Sequence, residues 1–102
     1  MKAGPLTLCV LLWAHPGAEE ALTAYEDQVL ALIPGYGGKV LWRARSKGTD
    51  GQPLETHLLE FPSPQALDAY VADGRRQALA AERDRAIART EIIEVELIPG
   101  NG

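Results

Sequence analysis

The run Leu6 to Ala14 constrains this chain more than any other feature, because Thr7 is its only polar residue. It is too short for a typical helix or for a helical bilayer span, and Pro16-Gly17 closes it. As a strand it places alternate side chains on opposite faces. Leu8, Val10 and Leu12 then lie on one side, with Cys9, Leu11 and Trp13 on the other. Burying one such large side chain contributes roughly 1.5–3 kcal/mol, and an uncovered face carrying several is a sticky patch. Both faces therefore need a cover. A chain of 102 residues has room for a single domain, residues 1–102, with 99–102 as a loose tail. One face can be covered from within. The other is expected to meet a second copy, making a homodimer through sheet faces.

The remaining pattern supplies the internal cover. Leu22, Tyr25, Val29, Leu32 and Ile33 recur at helical spacing, on one face of a helix that begins near Ala18. Glu19 and Glu20 suit its positive end, and Pro34-Gly35 stops it. Gly37-Gly38 turns the chain into a second strand, Lys39 to Arg45, on which Val40, Trp42 and Ala44 share a face. Ser46 to Pro53 reads as an exposed hairpin loop, and Leu54 to Phe61 as a third strand. Ser63 and Pro64 open a second helical region that runs towards Arg89 and bends or breaks near Asp73-Gly74. Glu91 to Ile98 is the expected fourth strand, with Ile93, Val95 and Leu97 opposed to Glu94 and Glu96. The order β-α-β-β-α-β predicts an α+β, ferredoxin-like fold, an antiparallel sheet with helices on one face.

Hydrophobic residues make up 46% of the chain, a globular composition, and the net charge is -4. That charge argues against nucleic acid and against an anionic membrane surface as partners. RNA-binding modules share this topology, but the strands here lack paired exposed aromatics and a basic signature. Cys9 is the sole cysteine, so no internal disulfide can form. Lys2 ahead of the apolar run has the outline of a secretory signal. The single lysine, the interposed Pro5 and the lack of a small-x-small site after the run leave the cytoplasm as the expected location.

Tyr36-Gly37-Gly38, Leu59-Glu60-Phe61-Pro62-Ser63, Tyr25 in the first helix, and Gln77-Ala78-Leu79 with Arg83 carry a family resemblance. Over nearly its whole length the chain resembles the bacterial DUF1330 family, a domain of unknown function in the dimeric α+β barrel superfamily. It departs from that pattern at Tyr70-Val71, where an aromatic pair is expected, and at Asp73-Gly74-Arg75-Arg76. The resemblance implies a dimer in which two sheets face each other. The superfamily includes cofactor-independent monooxygenases, haem-degrading enzymes, small-molecule isomerases and proteins with no known activity, so fold alone does not settle function.

Arg83 is the most informative single residue. Four after Leu79 and four before Ile87, it sits on an apolar helical stripe, where a guanidinium needs a partner or a route to water. Glu60, which points opposite to Leu59 and Phe61, is the expected partner in an internal ion pair. The alternative is that Arg83 anchors the carboxylate of a ligand. Tyr25 faces inward from the first helix, either as a satisfied core tyrosine or as a proton-handling group. His15 stands where strand gives way to loop and can act as acid or base, whereas His57 shares a face with Leu59 and Phe61. Trp42 and Tyr70 are candidate walls of a pocket between sheet and helices.

Two histidines and one cysteine at unrelated spacings make no zinc site, and no phosphate loop or nucleophile elbow is present in the sequence. The leading expectation is an enzyme that needs no cofactor and no metal and acts on a small organic acid or carbonyl compound. Arg83, Trp42 and Tyr70 would bind a small anionic ligand, and His15, Tyr25 or Glu60 would move a proton. One alternative is a non-catalytic ligand-binding or interaction module. Another is a haem-degrading protein, for which only His15 or His57 could serve as axial ligand.

Overall fold

The structure is a computed structural model that describes residues 4–100; Lys2 and the tail residues Asn101 and Gly102 lie outside the described residues. Strand β1 (Leu6–Ala14) coincides with the apolar run and lies inside the sheet, so neighbours satisfy its backbone along both edges. On one side is β3 (Glu55–Phe61), with Leu6 opposite Phe61 and Leu12 opposite Glu55. On the other is β4 (Ile87–Glu94), with Leu8 opposite Glu94 and Leu12 opposite Thr90. Strand β2 (Lys39–Arg45) pairs outside β3, which completes the order β2-β3-β1-β4 with all pairings antiparallel. This is the ferredoxin-like arrangement that the sequence predicts.

Alternation along β1 and β3 divides the sheet into two unlike faces. Leu8, Val10 and Leu12 are buried beside His57, Leu59 and Phe61, beneath the helices. Cys9, Leu11, Trp13 and Leu58 on the opposite face are only partly covered. Helix α1 (Glu19–Leu30) lays Leu22, Val29 and Leu30 onto the buried face and runs on into a short 3-10 turn, Ile33–Tyr36. Ser63 opens α2 (Pro64–Val71), its Oγ accepting from the Ala66 N–H at 3.1 Å. The second helical region then breaks at Asp73, whose carboxylate accepts from the Arg75 N–H at 2.7 Å, and resumes as α3 (Gly74–Gln77) and α4 (Ala80–Ala86).

Two features differ from the sequence-based expectation. Strand β4 begins at Ile87 rather than Glu91 and ends at Glu94 rather than Ile98. It pairs with β1 from Ala14 back to Leu8, so the chain leaves α4 directly into the sheet and Arg89 lies in the strand; just past its end the Val95 N–H donates to the Thr7 carbonyl at 2.9 Å. Within β2, Val40 and Trp42 do not share a face. The register shifts at Leu41, placing Val40 opposite the buried Leu59 and Trp42 opposite Leu58 on the uncovered side.

Gly38 sits where β2 meets the core. A Cβ there would stand 2.7 Å from Ile33 Cγ2 and 2.9 Å from the Glu60 carbonyl oxygen, too close for either to remain in place. Gly38→Ala is expected to lower stability by about 1–3 kcal/mol through overpacking. Gly35→Ala, whose Cβ meets nothing within 4 Å, should stay within about 0.5 kcal/mol of the parent. Urea denaturation of the two variants measures both.

Candidate functional site

Between the buried sheet face and the helices lies a cavity of about 110 Å³. Leu8, Val10 and Leu12 form its apolar floor. Over them stand Tyr25 and Glu26 from α1, Tyr70 from α2, Arg76 from α3 and Arg83 from α4. Thr90 and Ile92, both exposed on β4, complete the lining. The break at Asp73 serves the site, because it lets α3 and α4 bring two guanidiniums to one cavity.

A buried polar network forms one wall. Glu55 and His57 point inward from β3, each only 1% exposed. His57 Nε2 lies 2.8 Å from Glu55 Oε1, and Nδ1 lies 3.9 Å from Glu26 Oε1. Arg43 on β2 grips Glu55 with two donors, Nε at 2.8 Å and Nη2 at 3.0 Å, and Thr23 Oγ1 donates to Glu55 Oε2 at 2.6 Å. The same guanidinium reaches the exposed Asp27 at 2.7 Å. Tyr70 donates its hydroxyl to the Val29 carbonyl at 2.9 Å and packs against Phe61, while the Arg76 guanidinium stacks over its ring at 4.7 Å. Tyr25 is 2% exposed and, among the described residues, its hydroxyl has no hydrogen-bond partner; neither has Arg76 Nε.

These surroundings drive Glu26 and Glu55 apart. Burial pushes Glu26 up to about 7, with the neighbouring Glu55 charge adding to the rise and His57, Arg43 and Arg76 opposing it. Burial acts on Glu55 in the same direction, but hydrogen bonds from His57, Arg43 and Thr23 outweigh it and hold this group at about 2. Burial also raises the Tyr25 hydroxyl, with the Glu26 charge adding to the rise and the Arg76 charge and the nearby Arg83 guanidinium opposing it, and takes Tyr70 to about 12.

Of the residues singled out in the sequence, Arg83, Tyr25 and Tyr70 meet at this cavity. His15, Trp42 and Glu60 do not. His15 is exposed in the loop after β1, held through its backbone to Ala86. Trp42 lies on the far face of the sheet because of the Leu41 shift. Glu60 also points to that face, between Thr7 and Lys39, so the expected Arg83–Glu60 ion pair does not form. Arg83 instead contacts Asp84 at 3.4 Å. Glu26 and Arg76, which the sequence does not single out, also line the cavity, as does His57. Glu26 carries a signal in its spacing: it stands four after Leu22 and four before Leu30, as Arg83 stands between Leu79 and Ile87.

A family profile described as Domain of unknown function (DUF1330) matches residues 12–97. Comparison with curated proteins gave no match. Among solved structures, the chain is similar to a protein of unknown function from Rhodopseudomonas palustris, at 20% identity and a TM-score of 0.78, over 97% of this chain and 86% of that one. It is similar to a candidate antibiotic biosynthesis monooxygenase from Caulobacter crescentus, at 18% identity and a TM-score of 0.76, over 95% and 92% of the two chains. It is also similar to SnoaB, a cofactor-independent oxygenase from Streptomyces nogalater, at 12% identity and a TM-score of 0.71, over 97% and 98%. At such identities the likeness establishes the fold.

Glu26 holds its proton up to about pH 7 in the folded protein, against an ordinary value of 4.5 in the unfolded chain. The folded state binds more protons between these values, so stability falls as pH rises from about 4.5 through about 7. Glu55 has the opposite sign: its stabilisation is present above 4.5 and is lost as pH falls through about 2. Glu26→Gln removes only the first dependence. Between pH 5 and pH 8 the variant is expected to lose about 2–3 kcal/mol less than the parent in urea denaturation. Equal losses would show that Glu26 is already ionised at the lower pH.

Proposed function

This chain belongs to the DUF1330 family of unknown function, and on that premise we propose that it is a cofactor-independent enzyme acting on a small organic acid or carbonyl compound in the helix-side cavity. The observation that carries this is the company in which the Tyr25 hydroxyl stands, buried and unpartnered among the described residues beside a carboxylic acid and two guanidiniums. A buried hydroxyl without a partner costs about 1–3 kcal/mol, a cost that a ligand able to bond it removes. Arg83 and Arg76 suit a carboxylate, and the leucines and Val10 of the floor suit a short apolar chain. SnoaB is described as cofactor-independent, which supports chemistry carried by side chains alone on this fold. Haem does not fit. The cavity of about 110 Å³ is far too small for a porphyrin, His57 Nε2 is taken by Glu55, and His15 lies elsewhere.

The uncovered sheet face supports the second half of the proposal, a homodimer. Trp42, Leu58, Cys9 and Ile93 stand opposite one another in register, an apolar row across all the strands of the sheet. Trp42 is 46% exposed and Ile93 49%. A second copy of the same face is the cover that matches such a row without adding any partner of different chemistry. The unpaired Cys9 within it favours a reducing, cytoplasmic setting.

Two measurements check these proposals. Pyruvate added to the labelled protein should shift the amide signals of Tyr25, Glu26 and Tyr70. An Arg76→Ala, Arg83→Ala double variant should weaken that binding by about tenfold to a hundredfold. A parent protein whose spectrum ignores small carboxylates has no such site. Sedimentation equilibrium at micromolar concentration should give twice the 11.0 kDa chain mass, and Trp42→Glu should return it to the single-chain value. A parent that already sediments as one chain overturns the dimer.

A further inference from the structure

We propose that Glu26 and Tyr25 act together on a small 2-oxo acid, Glu26 removing a proton from the carbon beside the carbonyl and Tyr25 hydrogen-bonding the enolate oxygen that forms. This rests on the ligand site proposed above and adds to it a substrate class, a reaction and two roles.

The substrate class follows from the lining. Arg76 and Arg83 supply donors for a carboxylate, and the buried Tyr25 hydroxyl can donate to a second oxygen of the ligand. Leu8, Val10 and Ile92 offer only apolar contact, which suits an alkyl group. An engineered cavity of about 150 Å³ accepts benzene. The present 110 Å³ therefore encloses a carbonyl and a carbon or two beyond the carboxylate, the dimensions of 2-oxobutanoate.

The roles follow from the network. Glu55 is bound by His57, Arg43 and Thr23, so its oxygens are occupied and it stays ionised. Glu26 lines the cavity, and His57 approaches it only to 3.9 Å, beyond hydrogen-bond range. A carboxylate raised to about 7 is a useful base near neutral pH, where one held at about 2 is not. His57, locked by Glu55, is a positioning residue that packs behind Glu26. Tyr25, raised by burial, keeps its proton and so remains a donor.

In the step itself the C–H bond breaks and its proton passes to a Glu26 oxygen. The C–H electron pair forms a carbon–carbon double bond while the carbonyl π pair moves to oxygen, which accepts the Tyr25 O–H. Reversal returns a proton from Glu26 to carbon. Atoms and electrons balance without oxidant or reductant, and the net result is proton exchange or tautomerisation.

The test uses 2-oxobutanoate in D₂O, following loss of its C3 methylene proton signal by NMR, with binding read separately from protein amide shifts. The parent protein is expected to exchange these protons faster than buffer alone. Glu26→Gln should slow exchange by about 10² to 10⁴-fold and Tyr25→Phe by about 10²-fold, with both variants still binding 2-oxobutanoate. Both substitutions preserve shape, and circular dichroism confirms that each variant is folded. Binding without exchange by the parent overturns the proton-transfer assignment and leaves the ligand site standing. Absence of binding overturns both. Exchange by Glu26→Gln at the parent rate removes Glu26 as the base.

Discussion

A strand that is apolar on both sides cannot lie at a surface, and the rest of this molecule is arranged around that constraint. β1 takes neighbours along both edges, which commits its backbone, and helices over one face, which commits Leu8, Val10 and Leu12. Those three residues are also the cavity floor. The interior that stabilises the fold is thus continuous with the surface on which a ligand would rest. The opposite face, with Cys9, Leu11 and Trp13, is left partly covered by the chain's own elements. Trp13 is held at its polar edge, donating Nε1 to the Gly51 carbonyl at 2.8 Å, and lies under the Arg89 guanidinium.

Glu55 and His57 lie in a region that would otherwise be hydrocarbon, and burying a carboxylate there is costly unless it is paired and fully bonded. Arg43 meets that requirement from the edge strand, where its guanidinium can be partly hydrated and still reach inward. Fixed by two donors and by Thr23, Glu55 in turn fixes the His57 ring. Charge therefore enters this core from one edge and is passed inward by hydrogen bonds, with each member held by the one before it.

Much of this architecture was legible because it is written in local signals. The alternation of β1, the limits of β2 and the Ser63–Pro64 start of α2 depend on a few neighbouring residues, and the structure places all three where the sequence does. What was not legible depends on register. Nothing within Lys39 to Arg45 announces the extra residue at Leu41, yet it decides which face Trp42 occupies. The early start of β4 depends on its pairing with β1, a partner more than seventy residues distant in sequence. Glu60 failed as a partner for Arg83 because strand alternation puts it on the far face, a fact already implied by its opposition to Leu59 and Phe61. Glu26 shows the other kind of loss: like Arg83 it is a charged residue on an apolar stripe, but a glutamate in a helix is so common on solvated faces that its spacing alone does not set it apart.

Hydrogen bonding separates Glu26 from Glu55, which is bound by His57, Arg43 and Thr23 together. Glu26 and Glu55 both lie against His57 and both are desolvated, so burial by itself would raise both. Arg43 grips Glu55 with Nε and Nη2, and its Nη1 goes to Asp27, one residue beyond Glu26 but on the exposed side of the helix. Helical geometry turns adjacent residues by about 100°, so Asp27 meets the arginine at the surface while Glu26 is carried under it into the cavity. One acid is thereby ionised and structural, and the other is raised to about 7 beside the buried Tyr25 hydroxyl. A fold stabilised by the first keeps the second available for chemistry.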